Sequence, residues 1–261
     1  MQSTSVFLSP AIGGILYKLY GSNILFIINA ISFLIAGVLF SLIKYNFIKS
    51  DKESRNTGII KSGIEGYKIF STYSSVKTVF VIMSIFAVLG RFYETYKVAV
   101  SDVLLNLNPE GIIYFSYATA LGGILVPLVV KALSKKNHVK LLTLSTLIIA
   151  IGYIIFGYSK SFIITFGILI ILGLAQNLQG IYSSTIIQNL IPKDYIGRVF
   201  SFYKILLTFF AILGLLIATP LYNLIGIGNA FSSISLLLII LCILNLKGSF
   251  DKTVDETLDI K

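Results

Sequence analysis

The sequence predicts an all-α, polytopic membrane protein of about eight transmembrane helices. Apolar runs of about twenty residues follow one another along the whole chain. The hydrophobic fraction is 56% and the mean hydropathy +0.90, which leaves no room for a separate water-soluble domain. Basic residues gather in alternate gaps between the runs. A hydrocarbon core of about 30 Å needs about 20 helical residues at about 1.5 Å each, so each run is long enough to span a bilayer.

The runs lie at 5–20, 23–43, 78–97, 111–132, 141–158, 162–188, 199–219 and 229–246. Four regions follow: a two-helix piece at 1–43, a polar linker at 44–77, a six-helix piece at 78–246 and a tail at 247–261. In the linker, Ile59, Ile60, Ile64, Tyr67, Ile69 and Phe70 roughly keep helical spacing among Lys61, Glu65 and Lys68. That pattern reads either as an amphipathic helix at the headgroups or as a solvated connector with a helical end.

The net charge of +10 is resolved by where the charges lie. Of 21 Lys and Arg residues, all but Lys18, Arg91, Lys97 and Lys160 fall on one side of the predicted topology. This asymmetry places both chain ends and the 44–77 linker in the cytoplasm and makes anionic lipid headgroups the expected contact of the basic loops, not nucleic acid. Lys outnumbers Arg 18 to three and Ile, Asn and Tyr are abundant, which points to an AT-rich bacterial source. The single cysteine, Cys242, excludes an internal disulfide and reads as apolar filler against lipid or a neighbouring helix.

The chain resembles itself at an offset of 205 residues: Leu16, Tyr17, Leu19, Gly21 and Phe26 match Leu221, Tyr222, Leu224, Gly226 and Phe231. Both sets cover a helix exit, a short turn and the next helix start, so the first helix pair is expected to repeat the last. A six-helix period then implies a first unit lacking four helices, with a beginning about 130 residues upstream of Met1.

Span one carries Ser9-Pro10-Ala11-Ile12-Gly13-Gly14, and span four carries Ala118, Gly122, Gly123 and Pro127. Proline interrupts the helical ladder and small residues let backbones approach, so both read as packing or bending surfaces. Span three holds Arg91, Glu94 and Lys97 at i, i+3 and i+6. They form either an intramembrane Arg–Glu pair facing protein or a cavity, or a snorkelling set at the headgroups if the span ends near Leu89. Glu94 is the one acidic residue inside any predicted span and the candidate for proton exchange. Span six carries Gln176, Asn177 and Gln179 between Gly173 and Gly180, amides that must line a cavity or bond neighbouring helices. Spans five and eight carry mainly Ser and Thr, which can bond their own backbones and face lipid.

These motifs resemble the major facilitator superfamily of secondary transporters. Ser9-Pro10-Ala11-Ile12-Gly13-Gly14 is similar to that family's Gly-Pro-x-x-Gly-Gly antiporter motif, with Ser9 in place of glycine. Asn29-Ala30-Ile31-Ser32-Phe33, and Ile191 to Val199, resemble its macrolide-efflux and enterobactin-exporter branch. The resemblance implies family helices five to twelve: the last two of the first bundle and a complete second bundle, a truncated major-facilitator fold. It places span six at the cavity and Gly13 and Gly14 against the Ala118–Gly122–Gly123 face. The implied function is export of drugs or other amphipathic small molecules, driven by protons. The alternative is a non-transporting truncated fragment or pseudogene product that at most associates with a full-length partner. With one histidine (His138, in a loop) and one cysteine, the sequence offers no metal cluster. It shows no nucleotide motif, catalytic constellation or cofactor signature either, so no enzyme is expected.

Overall fold

The structure is a computed structural model and describes residues 2–42, 66–69, 72–107, 111–133 and 137–247. Among the described residues all regular structure is helical. The helices are α1 (Gln2–Leu42), α2 (Ser74–Ala99), α3 (Gly111–Ile124), α4 (Val126–Leu133), α5 (His138–Tyr158), α6 (Phe162–Leu190) and α7 (Ile196–Lys247). A π-helical turn, Val100–Leu104, prolongs α2, and a 3-10 turn, Lys193–Tyr195, precedes α7. The chain divides into two compact units, residues 1–58 and 59–261.

The first unit contains α1, which is two helices joined at Gly21 (φ 75°, ψ −177°). Each leg is about 30 Å long at about 1.5 Å per residue, one bilayer crossing. From Asn23 to Leu42 the second leg is exposed within the structure, with Phe26, Phe33, Leu34 and Phe40 all outward. A helix apolar on every side is one solvated by hydrocarbon or by other membrane helices.

The second unit is a helical bundle. α7 is again two helices, joined at Gly226 (φ 78°, ψ 170°). Its apolar stretch, Ile196–Leu244, is 49 residues, enough for two crossings. Gly226 stands 205 positions after Gly21, and the two share one backbone conformation, a region that is essentially glycine's alone. The internal repeat seen in the sequence thus coincides with a repeated turn geometry. The turns between the paired spans are narrower than the sequence suggested, because one glycine reverses the chain without a loop.

The first leg of α7 packs on α2, the second on α5, α5 on α6, and α6 on α3. Two apolar clusters fill the bundle. One lies around Leu89, Phe92, Phe115, Ile149, Tyr153, Phe156 and Phe231. The other lies nearer the end that carries Lys77, Lys131, His138 and Arg198, around Val79, Phe80, Leu142, Ile187 and Val199. Rings knit the first cluster: Tyr153 stacks on Phe231 (centroids 5.5 Å, planes 5° apart), and Phe156 meets Phe231 edge-on at 5.6 Å. In a membrane such interdigitation and the shape fit of small residues hold helices together, because lipid is as apolar as leucine.

Three expectations are corrected. Span four is not one helix: α3 ends at Ile124 and α4 starts at Val126, with Leu125 in a turn whose N–H bonds Gly122 O at 3.2 Å. Pro127, two residues on, supplies the reason, since its missing N–H and its ring break the ladder behind it. The hydroxyls of span five do not face outward: α5 is the most buried of the apolar stretches described, with Thr143, Ser145, Thr146 and Tyr153 interior and Leu144, Ile151 and Ile155 exposed on its other side. Its Thr143 and Thr146 bond the carbonyls of Val139 and Leu142, as expected of mid-helix threonines, and that self-satisfaction is what lets them be buried. Span three runs past Leu89 and past 97 to Leu104, so Asp102, exposed in the π turn, joins Glu94 as an acid of that apolar stretch.

Most of the expected linker helix lies outside the described residues, as do Ser134 to Lys136 and the tail beyond Lys247. The part that is described, 66–69, docks on the start of α7: Tyr67 meets Phe202 edge-on at 5.8 Å, and Gly66 lies against the Arg198 carbonyl.

Candidate functional site

Arg91, Glu94 and Lys97 lie along α2 as their spacing predicts, and the structure chooses between the possible partners. Glu94 pairs with Lys97, Nζ to Oε2 at 2.6 Å, with Glu94 half exposed at 52% and Lys97 at 24%. The Arg–Glu pair is not formed. Arg91 is exposed, and its Cβ sits beside Gly214, where the first leg of α7 comes closest to α2. An exposed pair of this kind contributes little to stability.

Next to Glu94, Tyr93 turns inward. Its ring is 5.7 Å from that of Tyr153 and 5.3 Å from that of Phe156. Lys97 Nζ stands 6.0 Å from the Tyr93 centroid on the other side, at the edge of cation–π range. Tyr153 is buried, and its hydroxyl accepts a hydrogen bond from Gln176 Nε2 at 2.8 Å. A continuous strip therefore runs from an ion pair through two tyrosines to an amide, across α2, α5 and α6. Gln176 is half-buried, so this strip joins the bundle interior to its surface.

The other two amides of α6 behave differently. Asn177 is exposed and donates to its own backbone at Gly173 O (2.8 Å). Gln179 is fully buried and donates to Thr146 Oγ1 on α5 at 2.9 Å. Gln179 is thus a bond between helices, Gln176 lies at an edge and Asn177 at the surface. Tyr93 and Tyr153 were missed in the sequence: a tyrosine in an apolar run looks like core, and only the folded bundle sets these two beside Gln176.

The small-residue positions also find their places. Gly122 and Gly173 form a reciprocal close approach of α3 and α6. A Cβ on Gly122 would collide with the Ile170 carbonyl, and one on Gly173 with the Thr119 carbonyl. Ala118 and Gly123 are buried beside them. The bare side of Gly122 therefore packs on α6 of its own unit. Pro10, Gly13 and Gly14 lie in the helical backbone of the first leg of α1.

A helical membrane bundle with a repeated helix pair and a polar strip on one edge is an architecture that sequence comparison can place. The sequence profile of the Major Facilitator Superfamily matches residues 1–215. The chain belongs to the Major Facilitator Superfamily. Among curated relatives of this superfamily chain are macrolide efflux protein A of Streptococcus pyogenes and its counterpart in S. pyogenes serotype M6. Each is 21% identical over 237 residues, which covers 88% of the chain and 58% of the relative. The chain thus spans little more than half the length of the curated relatives it matches. No solved structure matches it. The superfamily consists of membrane transporters and not of enzymes, in keeping with a sequence devoid of catalytic motifs.

Proposed function

We propose that the chain works as a secondary active exporter of amphipathic small molecules of the macrolide kind, driven by the proton gradient across a bacterial cell membrane. The observation that carries this reading is the carboxylate of Glu94 in the apolar helix α2, ion-paired to Lys97 and adjoining the Tyr93–Tyr153–Gln176 strip. A carboxylate there can exchange a proton, and each exchange makes or releases the Lys97 contact. That gives a helix end two electrostatic states that a gradient can bias. Tyrosine faces and amide groups suit an amphipathic guest, since rings supply apolar area while Gln176 and Asn177 offer oriented hydrogen bonds. One charge moved through 100 mV supplies about 2.3 kcal/mol, enough to drive an uphill export of several tens-fold per proton. Superfamily membership and the efflux relatives support this function, and the charge asymmetry of the sequence supports cytoplasmic ends.

The test is Glu94→Gln in proteoliposomes under an imposed pH gradient, with a radiolabelled macrolide as cargo. Gradient-driven transport is expected to fall at least tenfold, while macrolide binding measured without a gradient changes by less than about threefold. Undiminished transport by the variant would remove Glu94 from coupling.

A further inference from the structure

Among the described residues, two of the buried polar atoms of the second unit have no partner, and they lie one turn apart on α6. Gln179 Oε1 and Tyr182 Oη are both shut off from solvent and make no hydrogen bond. Gln179 is 0% exposed and Tyr182 4%. Residues at i and i+3 lie on the same side of a helix, with Cβ atoms about 5–6 Å apart. Both face α5: Gln179 bonds Thr146, and the Tyr182 ring lies 5.9 Å from that of His138. The orientation of the Gln179 amide is fixed by chemistry. Thr146 Oγ1 already donates its proton to Leu142 O at 2.8 Å, so it can only accept from Gln179, and the amide oxygen must be the end left over.

We propose that the α5–α6 seam is an internal hydration site, holding water between Gln179 Oε1 and Tyr182 Oη. One water molecule donates to the amide oxygen and accepts from the phenol, satisfying both groups at once. A polar seam with two buried, complementary and unsatisfied groups is what a structural water needs, whereas an apolar seam stays dry. Rungs on either side extend the polar track along the same two helices. Tyr153 and Gln176 lie deeper in the bundle, and His138 and Tyr182 lie at the end from which α5 starts. The site joins α5 to α6 and does not depend on what the protein transports.

Purified protein in nanodiscs gives two readouts. The first is thermal unfolding of Tyr182→Phe, Gln179→Leu and the double variant. Each single change is expected to lower the melting temperature by about 2–4 °C. The double variant should fall no further than the worse single one, because both groups hold the same water. Tyr182→Phe removes only the hydroxyl and carries the comparison, since Gln179→Leu also loses the Thr146 bond. The second is X-ray radiolytic labelling in ¹⁸O water, in which a buried tyrosine takes up label only from water bound beside it. Tyr182 should be labelled in the native protein, and severalfold less in Gln179→Leu. Support requires both results. An unlabelled Tyr182 overturns the proposal. So does a Tyr182→Phe variant as stable as the native protein or more so, which is the effect of removing a dry orphan.

Discussion

Adding one methyl group at Gly122 drives it into the Ile170 carbonyl, and neither backbone can yield without parting α3 from α6. Gly122→Ala is therefore expected to destabilise the protein by about 1–3 kcal/mol, the usual range for overpacking. Gly180 is on the same α6, yet a Cβ there would meet nothing within 4 Å. Gly180→Ala should be neutral or stabilise by up to about 1 kcal/mol, through helix propensity alone. Thermal unfolding of the two variants side by side checks the contrast, and equal shifts would sink it. The sequence marked both glycines as small residues in membrane helices and could not rank them, because rank depends on what stands opposite. The same holds for the amides: Gln176, Asn177 and Gln179 look alike in the sequence. Thr146 and Tyr153 on α5 then make one a buried strut, one an edge group and one a surface group.

Elements were more legible than residues. The apolar runs located the helices, with ends off by up to seven residues where span three runs on to Leu104, since a bilayer-long helix needs little tertiary context to form. Errors fell at interruptions. Pro127 divided a run that looked continuous, and glycines at 21 and 226 replaced loops with single-residue reversals. Both glycines hold a positive φ in a region that costs other residues about 1–3 kcal/mol. Gly226→Ala is expected to lower the unfolding temperature, whereas Ala at Gly167, helical and open to space, should not. If Gly226→Ala matches the native protein, the tight turn is not needed to join the two legs of α7.

Across the whole molecule the distribution of charge carries the topology. With 17 of the 21 basic residues on one side of the predicted spans, reporters fused after Lys52 and after Lys261 should both be active only as cytoplasmic reporters. External activity at either site would invert the orientation. In the second unit, Lys77, Lys131 and Arg198 sit at one end of the bundle and Lys97 and Lys160 at the other, so the helices sort the charges as the sequence count does.

By itself the sequence determined that this protein is a helical membrane protein, roughly where each helix runs, which gaps carry positive charge, and that the last helix pair echoes the first. Those properties follow from local composition: hydrocarbon forces every backbone polar group into a helix, and length and charge do the rest. The partners of those helices were decided by the tertiary structure. Glu94 could reach Arg91 or Lys97 from the same spacing, and the fold selected Lys97. The hydroxyls of span five suit lipid or protein equally once bonded to their own carbonyls, and the fold buried them. In a bilayer an apolar side chain is as well solvated by lipid as by a neighbour, so hydropathy cannot say which face of a helix turns inward. Shape decides that, and shape exists only when the helices are packed together.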